Sequence, residues 1–191
     1  MSCVIVLGCY RSGTSAVAGV LHHLGVPMGK QFDPPTKNNI KGYWEDVEFK
    51  KFHQFFDTNN KQLMDDYAAL IKSREDEHKL WGLKDPLLCL LLDQFVSNLS
   101  CKHKLIICRR SIEDISSSIS RAMGEQDALR YMPLAKHYLE SMEKQISLYK
   151  GNCLILNHED TLMNPGVTVG ALAGFLSIPI TDEALSYIER K

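Results

Sequence analysis

The 191-residue chain has no excess of charge of either sign: 22 Lys and Arg stand against 23 Asp and Glu. Net charge therefore draws in no bulk polyanion such as nucleic acid, and any anion site has to be local. Long hydrophobic runs are missing too. The longest, residues 87–92, falls far short of the roughly 20 apolar residues that a bilayer demands. The amino terminus shows neither a basic segment nor a cleavage site. No two of the six cysteines form a C-x-x-C pair, and Cys3, Cys108 and Cys153 lie in apolar strand-like runs, where a free thiol acts as a small hydrophobe. All six are expected to be reduced, in a cytoplasmic protein without membrane association. No grouping of His, Cys and acids carries metal-ligand spacing, and there is no internal repeat or low-complexity linker. The remaining composition, 45% apolar and 24% charged, is that of a globular chain. Its length suits one well-buried domain over residues 1–191.

Short apolar runs alternate with longer amphipathic ones. Residues 3–7, 80–84, 104–108 and 152–156 read as strands, and 14–24, 87–99, 112–123, 127–149 and 165–176 as helices. Residues 45–73 are helical as well, with a break near Asn59-Asn60. Strands that are continuously apolar, alternating with helices, indicate a parallel sheet covered on both faces, in a three-layer α/β/α architecture. Three prolines and two Asn between Gly25 and Tyr43 predict a long loop of the kind that more often serves function than idles.

The most informative segment joins the first strand to the first helix: Gly8-Cys9-Tyr10-Arg11-Ser12-Gly13-Thr14-Ser15. Its glycines let the backbone turn tightly against an anion, amides at the helix start point at it, and Thr14 and Ser15 add hydroxyl donors. A plain strand-to-helix turn would account for the glycines, but not for a hydroxyl pair and a cation beside them. Nucleotide triphosphatases place Lys directly after the second glycine, where this chain has Thr14. Its cation is Arg11, whose guanidinium can fork onto two oxygens of a transferring group. Ordinary ATP hydrolysis is disfavoured.

This segment resembles the 5′-phosphosulfate loop of sulfotransferases that use 3′-phosphoadenosine-5′-phosphosulfate (PAPS), most of all the bacterial, carbohydrate and tyrosyl-protein branches, where it reads R-S-G-T-S/T. The resemblance implies a P-loop nucleotide-hydrolase-like fold, with Ser12, Gly13, Thr14 and Ser15 on the 5′-phosphate and Arg11 on the departing bridge. Such a donor also carries a 3′-phosphate. The family holds it with an Arg at a strand end and a Ser eight positions on, here Arg110 and Ser118. Ile112 stands where that motif usually has Pro, and Arg109 with Ser117 fits the same spacing. Ser111, Glu113 and Asp114 also suit a helix start, which is compatible with the motif.

Gly42-Tyr43-Trp44-Glu45-Asp46 resembles an element of the bacterial enzymes. A base must take the acceptor proton, with Glu45 the first choice and Asp46 the second, although an acid at this place could simply begin a helix. Lys84-Asp85-Pro86 resembles the family's K-D-P element, which assigns Lys84 to transition-state charge, while Asp85 reads equally well as a helix cap. Residues 157–160, 164–165 and 173–176 resemble the family's closing stretch, with His158 in place of the usual Tyr. That stretch is read as structural, and His22 and His23 as packing or surface residues. Family members often have a basic C-terminal segment near the 3′-phosphate; here only Arg190-Lys191 stands there, so that part is minimal or supplied differently.

The reading is therefore a PAPS-dependent sulfotransferase with Arg11, Glu45 and Lys84 catalytic, a glycan or small-molecule hydroxyl as acceptor, 3′,5′-ADP as product and no metal required. Residues 25–43, 45–73 and 127–149 are expected to shape the acceptor pocket. A Mg²⁺-dependent P-loop kinase of a small molecule is the main alternative, with the acid ending the second strand handling the metal. A binding-only relative of the fold is the third.

Overall fold

The structure, a computed structural model, describes residues 1–189; the basic pair Arg190-Lys191 lies outside the described residues. Strands β1 (Ser2–Leu7), β2 (Leu80–Lys84), β3 (Lys102–Arg109) and β4 (Asn152–Asn157) form one all-parallel sheet in the order β2-β1-β3-β4. β1 is central because it is apolar on both faces: Cys3 to Leu7 are at most 1% exposed. Successive side chains of a strand serve opposite layers. Cys3, Ile5 and Leu7, with Trp81, Leu83, Leu105 and Ile107, pack under α2 (Val47–Gln54), α3 (Lys61–Glu77), α4 (Leu88–Ser97), α5 (Ile112–Ala122) and α6 (Met132–Leu148). Val4, Val6, Ile106 and Cys108 pack against α1 (Thr14–His23), α8 (Pro165–Leu176) and α9 (Asp182–Glu189). The result is the three-layer α/β/α arrangement expected from the alternation of strands and helices.

From β1 the chain passes to β2 on one side and then returns to β3 on the other. This reversal opens a crevice at the carboxyl ends of β1 and β3, the place where open α/β sheets bind ligands.

Several boundaries shift. The helical stretch 45–73 is two helices, and the Asn60 side chain starts the second by accepting from the Leu63 amide at 3.1 Å. The expected helix at 127–149 opens with a 3₁₀ turn, Leu129–Tyr131, before α6. α7 (His158–Met163) and α9 go beyond the sequence reading. One expectation is corrected. β4 is an edge strand covered on one face only: Leu154 and Leu156 pack inward, while Cys153 and Ile155 are exposed. Cys153 is thus not the buried hydrophobe its apolar neighbours implied, because an apolar run does not reveal whether a strand has neighbours on both sides. Among the described residues no helix is long and apolar enough to cross a membrane.

Candidate active site

The glycine loop leaves the end of β1 and closes against β3. A Cβ on Gly8 would lie 2.6 Å from Thr14 Cγ2 and 3.0 Å from the Cys108 carbonyl oxygen, so only glycine fits. Gly13 has φ 88° and leads directly into α1, whose start has no capping side chain and no acid in its first turn. Those amides are left for an anion. Arg11 stands at φ 68°, a left-handed conformation that costs a non-glycine residue about 1–2 kcal/mol. Two contacts hold it there. Arg110 Nη1 donates to the Arg11 carbonyl at 2.8 Å, and Arg11 Nε donates to Ser118 Oγ at 2.9 Å.

These groups line a cavity of about 350 Å³ together with Gly13, Thr14 and Ser15. Ser12 is not among them. Its amide and its hydroxyl both turn onto the Cys9 carbonyl, closing the loop rather than facing the cavity. Between the two arginines the structure distinguishes sharply: Arg109 pairs with Glu143 on α6 at 2.9 Å, whereas Arg110 reaches the loop. Arg110 Nε is buried without a hydrogen-bond partner among the described residues. Burial pushes this guanidinium below its usual range, with Asp114 and Glu159 pulling the other way. Ser111 caps α5 through the Asp114 amide at 3.1 Å, in the same segment as Arg110 and Ser118.

Lys84, the last residue of β2, is 2% exposed. Its Nζ donates to Glu45 Oε1 at 2.6 Å and to the Tyr43 carbonyl at 3.1 Å, and both charged side chains line the cavity. The preceding Trp44 has φ 59°, a left-handed turn of the chain just before Glu45. Trp44 Nε1 donates to Tyr187 Oη on α9 at 3.0 Å, and its ring packs on His22 with centroids 4.6 Å apart. The α1 histidines are therefore packing groups behind the loop.

Asp46 and Asp85, the two other acids considered, are turned inward. Asp46 Oδ1 accepts from the Glu48 amide at 3.0 Å, and Oδ2 accepts from the Lys30 amide and from Arg74 Nη2 at 3.1 and 3.0 Å. Asp85 Oδ1 accepts from the Leu87 amide at 2.9 Å; Oδ2 lies 2.8 Å from His53 Nδ1, and His53 Nε2 is 2.9 Å from Tyr67 Oη. Asp46 caps α2 and Asp85 accepts from the turn that leads into α4; both are held in buried networks, and neither lines the cavity.

Sequence reasoning gave no role to Tyr10 or His158, which line it; Asn38 and Asn39, from the loop expected to shape the acceptor pocket, line it as well. Asn38 crosses from the long loop to α5, donating through Nδ2 to the Ala122 carbonyl at 3.0 Å. His158 directly follows β4, and the rule that ligand crevices lie beyond strand ends was the signal that could have found it. Among the described residues no three or more His, Cys, Asp or Glu side chains gather as metal ligands would.

No protein-family model matches the chain, and no curated protein matches it in sequence. Solved structures do match. The sulfotransferase domain of the Synechococcus PCC 7002 olefin synthase superposes with a TM-score of 0.64, over 100% of this chain and 78% of its own, at 18% identity. Sulfotransferase STF1 from Mycobacterium tuberculosis H37Rv gives 0.62 over 97% and 70%, at 14% identity. The chain shares the P-loop-like α/β/α fold of these sulfotransferases. A sugar kinase from Janibacter sp. HTCC2649 superposes at 0.55 over 97% and 98%, at 15% identity, so this fold also carries kinases. Within this fold, the loop after β1 and the ends of β2 and β3 converge on the cavity described above.

Proposed function

We propose that the chain transfers a sulfuryl group from PAPS to a hydroxyl of a small molecule or carbohydrate and releases 3′,5′-ADP. The observation that carries this reading is the convergence in a single cavity of two groups of residues suited to anions and one cation–carboxylate pair. One pole is the glycine loop with the start of α1; the other is Arg110 with Ser118; Lys84 and Glu45 lie on the same wall. A donor with a phosphate at each end asks for two such poles.

The bound donor supplies a sulfuryl group bridged to its 5′-phosphate. Thr14 and Ser15 would hold that phosphate with the α1 amides, while Arg110 and Ser118 would hold the 3′-phosphate. Arg11 and Lys84 would neutralise charge growing on the bridge and the sulfuryl oxygens. Glu45 would take the acceptor proton as the new S–O bond forms, the bridging S–O bond breaks, and its electron pair leaves on 3′,5′-ADP. The protein's contribution is then positioning and fixed charge in a partly buried site. A kinase of the expected kind would need a free acid at the end of β2. Asp85 has both oxygens engaged within the fold, and no lysine follows Gly13.

Thermal stability with 3′,5′-ADP, compared with ADP and ATP with and without Mg²⁺, tests the reading. A ligand at about a hundred times its dissociation constant adds about 2.7 kcal/mol, an upward shift on the order of 5 to 10 °C in a chain of this size. The expected result is a metal-independent shift specific to 3′,5′-ADP, with sulfuryl transfer abolished in Arg11→Ala. A shift confined to ATP with Mg²⁺ would replace the reading with a kinase.

A further inference from the structure

His158 lines the cavity, and nothing in the transfer scheme uses it. It is the first residue of α7, at the end of β4, and its ring occupies the space that any side chain at position 13 would fill: a Cβ on Gly13 would lie 2.5 Å from His158 Nδ1. That nitrogen is buried and has no hydrogen-bond partner among the described residues. The charged groups facing the imidazole come from four elements: Arg110 beyond β3, Arg11 in the loop, Asp114 on α5 and Glu159 on α7 itself. Lys84 and Glu45 line the same cavity.

In the free protein this setting opposes an imidazolium. Burial first, then Arg110, and more weakly Arg11 hold the imidazole below its ordinary range, with Glu159 and Asp114 acting in the opposite sense. A second ring proton would also leave an N–H at Nδ1 with no acceptor. A phosphate at the glycine loop reverses both effects. It brings negative charge against the two arginines and oxygens that can accept from the ring.

We propose that His158 is a proton-coupled ligand of the nucleotide phosphate held at the glycine loop, neutral in the free protein and protonated in the complex. The proposal rests on the nucleotide reading above and adds a property to it. Its sign follows from linkage. The imidazole titrates higher in the complex than in the free protein, so affinity rises as pH falls through the interval between those two values. Above that interval His158 contributes no charge, and below it both states are protonated and the gain is constant. Binding within that interval takes up a proton, and product release returns it.

Calorimetry of 3′,5′-ADP binding in two buffers of different ionisation enthalpy counts the protons taken up. It is to be run on the wild type and on His158→Gln, which keeps an N–H donor but does not titrate. The ligand's own phosphates titrate near pH ~6, equally with both proteins, and cancel in the difference. The wild type is expected to take up more protons than the variant. Its affinity advantage is expected to grow about tenfold between about pH 8 and about pH 6, the change that one pKa unit brings. Equal uptake with a pH-independent ratio overturns the proposal and leaves the nucleotide reading intact. Should His158→Gln not fold, the wild-type His158 ring can be titrated by NMR with and without saturating inorganic sulfate, which does not itself titrate in this range. A higher midpoint in sulfate supports the proposal, and an unchanged midpoint overturns it. Failure of the wild type to bind 3′,5′-ADP at all removes both.

Discussion

Lys84 and Glu45 form the most consequential charge pair in the cavity, and the structure gives a magnitude to their separation. The N···O distance is 2.6 Å, and the side chains are 2% and 11% exposed. At that distance, with an effective dielectric of about 20, the attraction is about 6 kcal/mol before desolvation is counted. What a mutation reads is smaller. Removing one member of a buried pair strands the other, at a cost of about 3–5 kcal/mol. In a chain of this length each kcal/mol moves the thermal midpoint by about 2–4 °C. Lys84→Met is therefore expected to lower it by about 6–12 °C, the low end of that cost, because Lys50 Nζ still stands 3.9 Å from Glu45 Oε2. Glu45→Gln also falls, but less far, because Lys84 keeps the Tyr43 carbonyl and the new carbamoyl oxygen.

The double variant decides the matter. Without a stranded charge, Glu45→Gln with Lys84→Met should recover most of the loss, to within about 2 kcal/mol of wild type. The double-mutant cycle then returns a strongly non-additive coupling. The assay is thermal unfolding of all four proteins in one buffer, followed by a transfer assay on the double variant. A wild-type midpoint for Lys84→Met would mean the pair is not desolvated. Transfer at the wild-type rate by the recovered double variant would refute the roles given to both residues.

Two further outcomes follow from the loop and its arginines. Gly13→Ala should lose 3′,5′-ADP binding and more than about 1 kcal/mol of stability, since alanine is strained at φ 88° and its Cβ meets His158; thermal shift with ligand checks both. Arg110→Ala should weaken 3′,5′-ADP binding at least tenfold, whereas Arg109→Ala should leave it unchanged and cost at most about 1 kcal/mol, because the pair that Arg109 makes with Glu143 is solvent-exposed. Equal losses of affinity in the two variants would return the second anion pole to doubt.

How much of this was legible in the sequence depends on the range of the forces involved. The strands and layers were readable because burial of β1 on both faces leaves a local mark, an unbroken Val-Ile-Val run ending in glycine. The loop was readable for the same reason: glycines, hydroxyls and a cation sit within eight residues of one another. Choices between neighbours were not. Nothing local tells Glu45 from Asp46. A left-handed Trp44, an amide donor at Lys30 and Arg74 on a distant helix turn one carboxylate to the cavity and the other to a cap. Arg109 and Arg110 differ likewise only in what faces them, Glu143 on one side and the loop backbone on the other. His158 escaped because its partners are spatial: the space above Gly13 exists only once β4 lies beside β3.

The strain at Arg11 ties these parts together. A left-handed arginine is a net cost to the fold, and it persists because Arg110 holds its carbonyl and Ser118 accepts from its Nε. On the proposed reading those same two residues bind the 3′-phosphate. The pole that distinguishes PAPS from a nucleotide without a 3′-phosphate is therefore built into the support of the cation that would act on the sulfuryl bridge. A ligand that engages the remaining N–H groups of Arg110 and the O–H of Ser118 adds its charge to the braces of Arg11 with their bonds to Arg11 still made, whereas one lacking that phosphate leaves the braces unloaded. Discrimination between donors would then fall on the rate of transfer as well as on affinity. A loop that held its cation by glycine flexibility alone, with no arginine and serine bracing it from β3 and α5, could not couple the two ends of the donor in this way.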